Sequence, residues 1–404
     1  MNNNSKTRAA LTGSLLAAAL LGSVSRPVLA DDTSAAPDTA ALQSRIDNLQ
    51  KQITDLSAQL DQLNKQQGDL KKKSDETVQS KFPVKLSGNL QVEGIARLSE
   101  NGPAASANNT FRLRRGQIKL QGQVTPRISA TAMFDIAKVQ DSNDRASDTV
   151  LQDLYVSYLL NKSKKNSSYI DVGQQKVPIG YESLLSASAL PFVERSLFAQ
   201  LRDPLRANYD SGRDTGAQLR GTAGQFDYRI GIFNGFGDRQ NGLAYSDAKA
   251  VIARLAYHVT PAWQIGASAA RGNTGISSSG VRADRHLWNL FTAYKHDKFS
   301  LQGEYLDGDY SDPVNGTQDV RSYYGNAGYF LTPKLEGVAR ADFFDYKNLN
   351  ATIKQYTLGL NYYLKGNNAK IQLNLVHTDG DPAAPGSTFD NDSNELRTLF
   401  QVAF

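Results

Sequence analysis

The chain of 404 residues contains no cysteine, two methionines, two tryptophans and four histidines. Without cysteine it can form neither a disulfide framework nor a thiolate metal site. It also lacks a long apolar run, because Leu11 to Leu21 spans only about 11 residues and a membrane-spanning helix needs about 20. These absences exclude a disulfide-stabilised secreted domain and a bundle of transmembrane helices.

The short apolar run at the start of the chain has the layout of a secretory signal. Lys6 and Arg8 precede it, and the small-residue sequence Val28-Leu29-Ala30 follows it. This arrangement predicts that residues 1–30 are a signal peptide that is removed on export. A membrane anchor is the alternative interpretation of the same run.

The net charge of the chain is small and positive. It holds 45 basic and 40 acidic residues, and residues 81–404 hold 36 and 31 of these. A nucleic-acid-binding protein usually carries a clustered basic face, which this distribution does not provide. A mild excess is compatible with an internal cavity that favours anions.

Residues 31–80 are predicted to form a periplasmic coiled coil and a linker. Apolar residues recur at alternating spacings of four and three, with Gln67 at the one missing place. The positions are Leu42, Ile46, Leu49, Ile53, Leu56, Leu60, Leu63 and Leu70. Isoleucine at heptad position a with leucine at position d favours a coiled coil of two helices. A trimeric domain that follows the helix would instead impose a coiled coil of three.

From Val84 onward the apolar period changes to two, which is typical of β-strands. Leu86, Gly88 and Leu90 share one face, for example, whereas Ser87 and Asn89 lie on the other. We count sixteen such segments in residues 81–404, of which those near 285–296 and 320–332 have ambiguous faces. They run about ten residues or more, whereas strands of soluble sandwiches average five or six. Short turns alternate with long polar loops, which predicts an all-β, sixteen-stranded antiparallel transmembrane β-barrel with an aqueous lumen.

Aromatic residues lie near the ends of these segments, as they do in membrane-interface girdles. Examples are Tyr158, Phe226, Tyr257, Trp263, Phe299, Tyr356, Tyr362 and Phe404. The outer face of the barrel is therefore predicted to contact outer-membrane lipid.

Residues 176–213 do not alternate, and a segment this long without regular structure is usually functional. We predict that it folds into the lumen and narrows it. Its charges are nearly balanced, so pairing within the loop is an alternative role for any one of them. The predicted inward faces of the strands hold many cations, which bias a pore toward anions. Acids on the same faces dilute this bias: Glu93, Asp135, Asp171, Asp227, Glu304, Glu336 and Asp342.

Catalysis finds little support in the sequence. The four histidines do not have metal-ligand spacing, and neither a nucleophile elbow nor a phosphate-binding glycine loop occurs. We therefore predict no enzyme activity, no metal site and no cofactor.

Several stretches resemble the phosphate-selective porin O and P family of bacterial outer-membrane proteins. They are Phe111-Arg112-Leu113-Arg114-Arg115-Gly116, Phe134-Asp135-Ile136-Ala137, Asp153-Leu154-Tyr155-Val156, the run from Val172 to Glu182, Phe192-Val193-Glu194-Arg195-Ser196, Arg213-Asp214-Thr215-Gly216, and the end of the chain from Gly359 to Phe404. The resemblance covers about residues 84–404.

This resemblance implies a trimeric, anion-selective porin whose loop after the fifth strand forms the constriction. It also implies that the barrel-assembly machinery reads the terminal Phe404. Anion contacts implied by the resemblance are Arg112, Arg114, Arg115, Lys119 and Lys176. Predicted inward faces and the non-alternating segment add Arg127, Arg195 and Arg220.

The sequence therefore predicts an outer-membrane porin for passive diffusion of small, preferentially anionic solutes, with phosphate or polyphosphate among the candidates. The alternative is a structural anchor whose coiled coil tethers the outer membrane to the cell wall. The anchor predicts little conductance, and cell-wall binding that is lost when residues 39–73 are deleted. An outer-membrane enzyme is a third, weaker hypothesis.

Overall fold

The structure is a computed structural model. It describes residues 39–78, 83–101, 109–140, 150–200, 212–234, 249–274, 283–312, 316–381 and 392–404. The predicted signal peptide lies outside the described residues. The chain divides into two compact units, residues 1–78 and 79–404, and each is treated separately below.

The described part of the first unit is one helix, α1, over Thr39–Val78. At 1.5 Å per residue its 40 residues extend about 60 Å. Its apolar side chains at the predicted a and d positions lie 48–65% exposed, from Ile46 to Leu63. The predicted helix is confirmed, and its apolar stripe has no partner within its own unit among the described residues.

The second unit is a closed barrel of sixteen antiparallel strands, which confirms the predicted fold class. The strands are β1 Val84–Asn101, β2 Thr110–Gln123, β3 Ile128–Asp135, β4 Leu151–Lys162, β5 Asn166–Lys176, β6 Arg213–Ala223, β7 Phe226–Phe233, β8 Ala250–Thr260, β9 Trp263–Thr274, β10 Ala283–His296, β11 Phe299–Asp312, β12 Gly316–Thr332, β13 Leu335–Tyr346, β14 Ala351–Tyr363, β15 Ala369–Asp379 and β16 Asp392–Ala403.

The barrel closes where β1 pairs with β16. Leu90 lies opposite Val402, and the backbone of Gly88 exchanges hydrogen bonds of 2.8 and 3.0 Å with Phe404. Connections at one end of the barrel are turns of two to five residues. We call this end the short-turn end and the opposite one the long-loop end.

Side chains alternate between the lumen and the outer surface as the period-two pattern predicts. In β1, Gln91 and Glu93 are 1% and 0% exposed, whereas Leu90 and Val92 are 46% and 41% exposed. The outer surface is therefore a continuous apolar band that suits lipid. Among the described helices, none is long and apolar enough to cross a membrane.

The strands with ambiguous faces, β10 and β12, owe that ambiguity to an apolar belt inside the lumen. Each strand from β7 to β14 contributes at least one inward apolar side chain that is at most 4% exposed, and one from each strand forms the belt. These are Phe233, Ile252, Ala270, Leu287, Leu306, Val320, Phe344 and Ile353. Both faces of these strands are therefore locally apolar, and the sequence does not show a clear alternation of apolar and polar residues there.

Candidate functional site

The chain leaves the barrel wall after β5 and enters the lumen as residues 177–200, here called the inner loop. Pro178 has no N–H group, so the pairing between the two chain segments ends at Val177, whose N–H donates to the carbonyl of Gly212 at 2.7 Å. Gly180 follows with a φ of 67°, and a Cβ there would lie 2.3 Å from Oε2 of Glu304. A side chain at Gly180 would thus collide with the opposite wall.

Carboxylates and an amide of the far wall accept hydrogen bonds from the backbone of the inner loop. Glu304 of β11 accepts from the N–H groups of Tyr181 and Glu182 at 2.9 and 2.7 Å. It also accepts from the Tyr324 hydroxyl and the Asn289 amide, at 2.6 and 3.2 Å. A buried carboxylate with four donors is fully satisfied, and we call this arrangement the Glu304 clamp.

Similar bonds fix the rest of the loop. Asp342 of β13 accepts from the N–H of Leu197 at 2.6 Å, and Asn374 of β15 accepts from that of Val193 at 2.8 Å. Wall side chains also donate to loop carbonyls. These donors are Arg254, Arg340, Asn361, Lys370, Gln372 and Gln401.

Apolar packing holds the same loop. Ile179, Leu197 and Phe198 are at most 5% exposed and form one cluster with the inward belt of β7–β14. Burying a large apolar side chain contributes about 1.5–3 kcal/mol. The inner loop therefore closes the β8–β16 side of the lumen.

Glu194, on the inner loop, is the centre of an arginine cluster. Arg114 donates to it at 2.7 and 2.6 Å, and Arg112 and Arg397 lie 2.9 and 3.4 Å away. Burial by itself would raise the pKa of Glu194, but the guanidinium groups of Arg114, Arg397 and Arg115 outweigh burial and hold its pKa well below the ordinary value. Glu194 therefore stays ionised at mildly acidic pH.

We expect E194Q to lower the free energy of unfolding at pH 7 by about 2 kcal/mol, because the arginines lose a charged acceptor. A depressed carboxyl pKa stabilises the folded state above the unfolded-state value of about 4.3, and this contribution is lost progressively as pH falls from that value through the lowered folded-state pKa. Heat-unfolding midpoints of both proteins should thus differ equally at pH 7 and 6 and begin to converge below pH 4. A difference that persists unchanged at pH 2 would contradict this role.

An opening remains between the inner loop and strands β2–β7. Its volume is about 430 Å³, and nine basic and three acidic side chains line it. The basic residues are Arg114, Arg115, Lys119, Lys138, Lys176, Arg195, Arg213, Arg220 and Arg229. The formal excess is six positive charges, which is larger than the excess of the whole chain.

Each of the three acids in this opening is engaged. Asp153 lies 2.6 Å from Nε of Arg213, and Asp171 lies 2.5 Å from Nε of Arg220. Asp135 accepts a hydrogen bond of 2.8 Å from the backbone N–H of Gly116. These acids position the wall, and none of them makes an ion pair with Lys119, Lys138 or Arg229.

Three of the cations make neither a salt bridge nor a hydrogen bond to any residue that the structure describes: Lys119, Lys138 and Arg229. Arg229 lies directly opposite Arg220 and Arg254 on the neighbouring strands. Like charges directly opposite each other in a sheet are destabilising. An anion between them would relieve this repulsion.

The structure brings six of the eight predicted site residues to this opening: Arg114, Arg115, Lys119, Lys176, Arg195 and Arg220. Lys176 and Arg195 also shape the loop, since both donate to the carbonyl of Leu185, at 2.8 and 3.1 Å. Arg112 does not line the opening and pairs with Glu93 at 2.6 Å. Arg127 is exposed in the short turn between β2 and β3.

Lys138, Arg213 and Arg229 line the opening but are absent from the eight predicted residues. Arg229 could have been found, because it alternates with the apolar residues of β7. Lys138 follows β3 in a 3-10 turn, Ile136–Gln140, where no periodicity shows which way a side chain points. Among the described residues, no cluster of three or more histidine, cysteine or acidic side chains could hold a metal ion.

The phosphate-selective porin O and P family matches residues 84–404, which is most of the chain. The chain belongs to this family. It is thus a porin, a channel rather than an enzyme, and its family and barrel place it in the outer membrane. No curated protein matches the chain.

Solved porin structures show the same fold. The chain is 16% identical to an anion-selective porin from Comamonas acidovorans, with a TM-score of 0.57 over 80% of this chain and 100% of that one. The outer membrane channel DcaP of Acinetobacter baumannii is 13% identical, with a TM-score of 0.56 over 80% and 97%. The trimer form of OmpT from Vibrio cholerae is 10% identical, with a TM-score of 0.57 over 80% and 99%.

Proposed function

We propose that this porin lets small anions diffuse passively through the opening in preference to cations. The observation that carries the proposal is the lining of the opening, with nine basic side chains and three acidic ones that are all engaged. The anion-selective porin from Comamonas acidovorans shares the fold and is consistent with this choice.

Electrostatics explains why the lining outweighs the net charge of the chain. A unit charge about 6 Å from a passing ion changes its energy by about 0.7 kcal/mol in water, and more where the wall excludes water. At physiological salt the Debye length is about 8 Å, so distant surface charges are screened. The cations within the opening therefore dominate selectivity.

Arginine and lysine heads are also the groups that recognise phosphate, and phosphate is a candidate solute. In a potassium chloride gradient across a planar bilayer, the reversal potential is expected to have the sign of chloride permeation. Added phosphate should lower the chloride current in a saturable way, because it occupies the cations for longer than chloride does. A reversal potential of the opposite sign would contradict anion preference. A chloride current that phosphate leaves unchanged would exclude phosphate as a solute and would not affect the proposal of anion preference.

We propose Arg114, Arg115, Lys119, Lys176, Arg195 and Arg220 as the anion contacts. Arg112 is left out because it does not line the opening, and it acts through Glu194 instead. Arg127 takes no part in this proposal because it lies in an exposed turn.

We also propose that the protein is a homotrimer whose α1 helices form a coiled coil in the periplasm. The exposed apolar stripe of α1 supports this, because such a stripe is stable only against a partner. Mass measurement in detergent would find three chains, and a monomer would contradict the proposal. Recognition of Phe404 by the barrel-assembly machinery and the tether to the cell wall stay predictions.

A further inference from the structure

We propose that a second recess, on the other side of the inner loop from the cation-lined opening, binds a neutral polyhydroxylated solute such as a monosaccharide. Its volume is about 430 Å³, and it shares no lining residue with the opening. Tyr181, Leu185 and Pro191 of the inner loop cover it. Inward side chains near the short-turn ends of β8–β14 form its wall.

Asn326 of β12 gives the recess an unused hydrogen-bond donor. Its side chain is 8% exposed, and its Nδ2 is buried without a hydrogen-bond partner among the described residues. A buried donor without an acceptor costs about 1–3 kcal/mol. A ligand oxygen in the recess would supply the acceptor.

Gly328, the next inward residue of β12, lets two further polar groups approach the backbone closely. A Cβ at this position would lie 2.6 Å from Oγ of Ser300 and 2.8 Å from Oε1 of Glu336. The place of a side chain is thus taken by a hydroxyl and a carboxylate oxygen, and both belong to residues that line the recess. A ligand hydroxyl can donate to one oxygen and accept from the other.

The charge of the recess differs from that of the opening. Glu336 and Lys295 cancel formally, and His258 is held by Asp227 at 2.7 Å. The other polar side chains are mostly amides, Gln264, Gln302, Asn326 and Asn367. A site without net charge that offers both donors and acceptors suits an uncharged polyol better than an anion.

Two tyrosines add apolar surface in fixed orientations. The Tyr181 ring stacks on Phe291 with 6.1 Å between centroids, and the Tyr363 hydroxyl donates to Glu336 at 2.5 Å. Rings held in this way give the recess rigid apolar surface for the C–H groups of a sugar, while the amides and Glu336 bind its hydroxyls.

Saturation-transfer NMR of the full-length protein in detergent, with glucose as the probe, tests this proposal. We expect glucose signals that fall about fivefold or more in N326S, since one lost hydrogen bond is worth about 1 kcal/mol. We expect at least the same fall in G328V, because its side chain would displace Ser300 and Glu336. K119Q, in the opening, is the matched control and should keep the full signal. Glucuronate and glucosamine should give weaker signals than glucose, and excess phosphate should not compete.

Heat-modified migration on gels would first show that each variant is folded. Two variants are used so that the test can still be made if one of them does not fold. Absence of a glucose signal, or a signal unchanged in both folded variants, would overturn the proposal. Competition by phosphate would also overturn it, because the sugar would then lie in the opening. Anion selectivity is measured separately by reversal potential, so failure of the proposed function would be distinguishable.

Discussion

Replacing Lys119 and Arg229 together by glutamine is expected to lower the anion-to-cation permeability ratio about tenfold. Both side chains line the opening and have neither a salt bridge nor a hydrogen bond to a described residue. No direct ion pair with a described residue therefore neutralises either charge. Each charge lowers the energy of an anion and raises that of a cation, by about 0.3 kcal/mol each once screening over a Debye length of about 8 Å is included. The two charges together therefore change the ratio by about 1.3 kcal/mol, which is close to a factor of ten.

The measurement is the reversal potential in a salt gradient, with single-channel conductance recorded alongside. The double variant R127Q/K162Q is the matched control, because it removes one arginine and one lysine that are exposed at the short-turn end. An equal shift in both double variants would show that net charge, rather than the opening, determines selectivity. If neutralising Lys119 and Arg229 does not shift the reversal potential, these side chains do not act on the permeating ions.

The barrel could be predicted from the sequence because the period of two directly reflects which face is buried. All sixteen strands follow from it, and so does the position of the inner loop, where the alternation stops at Lys176. The faces of β10 and β12 could not be predicted, because Leu287 and Val320 face an apolar belt inside the lumen. That belt exists only because the inner loop covers it.

The roles of the lumen acids could not be predicted either. From sequence, Glu304, Glu336 and Asp342 only dilute the positive charge of the lumen. In the structure Glu304 and Asp342 accept hydrogen bonds from the inner loop, more than 100 residues away in the chain. Glu336 accepts from Asn361, which in turn donates to the loop carbonyl of Pro191. Hydrogen bonds between residues so far apart in the chain leave no local pattern in the sequence. The excess of positive charge in the opening therefore could not be predicted.

Because Glu304 holds the inner loop, we predict that it controls the pore without touching the permeating ion. E304Q replaces one oxygen of the Glu304 clamp by an NH2 group, which faces backbone N–H donors instead of accepting from them. Charged hydrogen bonds are worth about 1.5–3 kcal/mol each, so the loss of one or two would raise the population of a detached inner loop by about 100-fold. Bilayer recordings should then show frequent transitions to states of higher conductance and weaker anion preference.

Asp309 supplies the matched control for this experiment. It lies on the same strand as Glu304 but on the outer face, where it contacts His286 at 3.2 Å. D309N removes the same charge from β11 and should leave both conductance and selectivity unchanged. A steady E304Q channel with the conductance of the original protein would show that the apolar packing of Ile179, Leu197 and Phe198 suffices to hold the loop. If instead E304Q gates while K119Q/R229Q does not, two separate parts of the lumen determine the width and the selectivity of the pore.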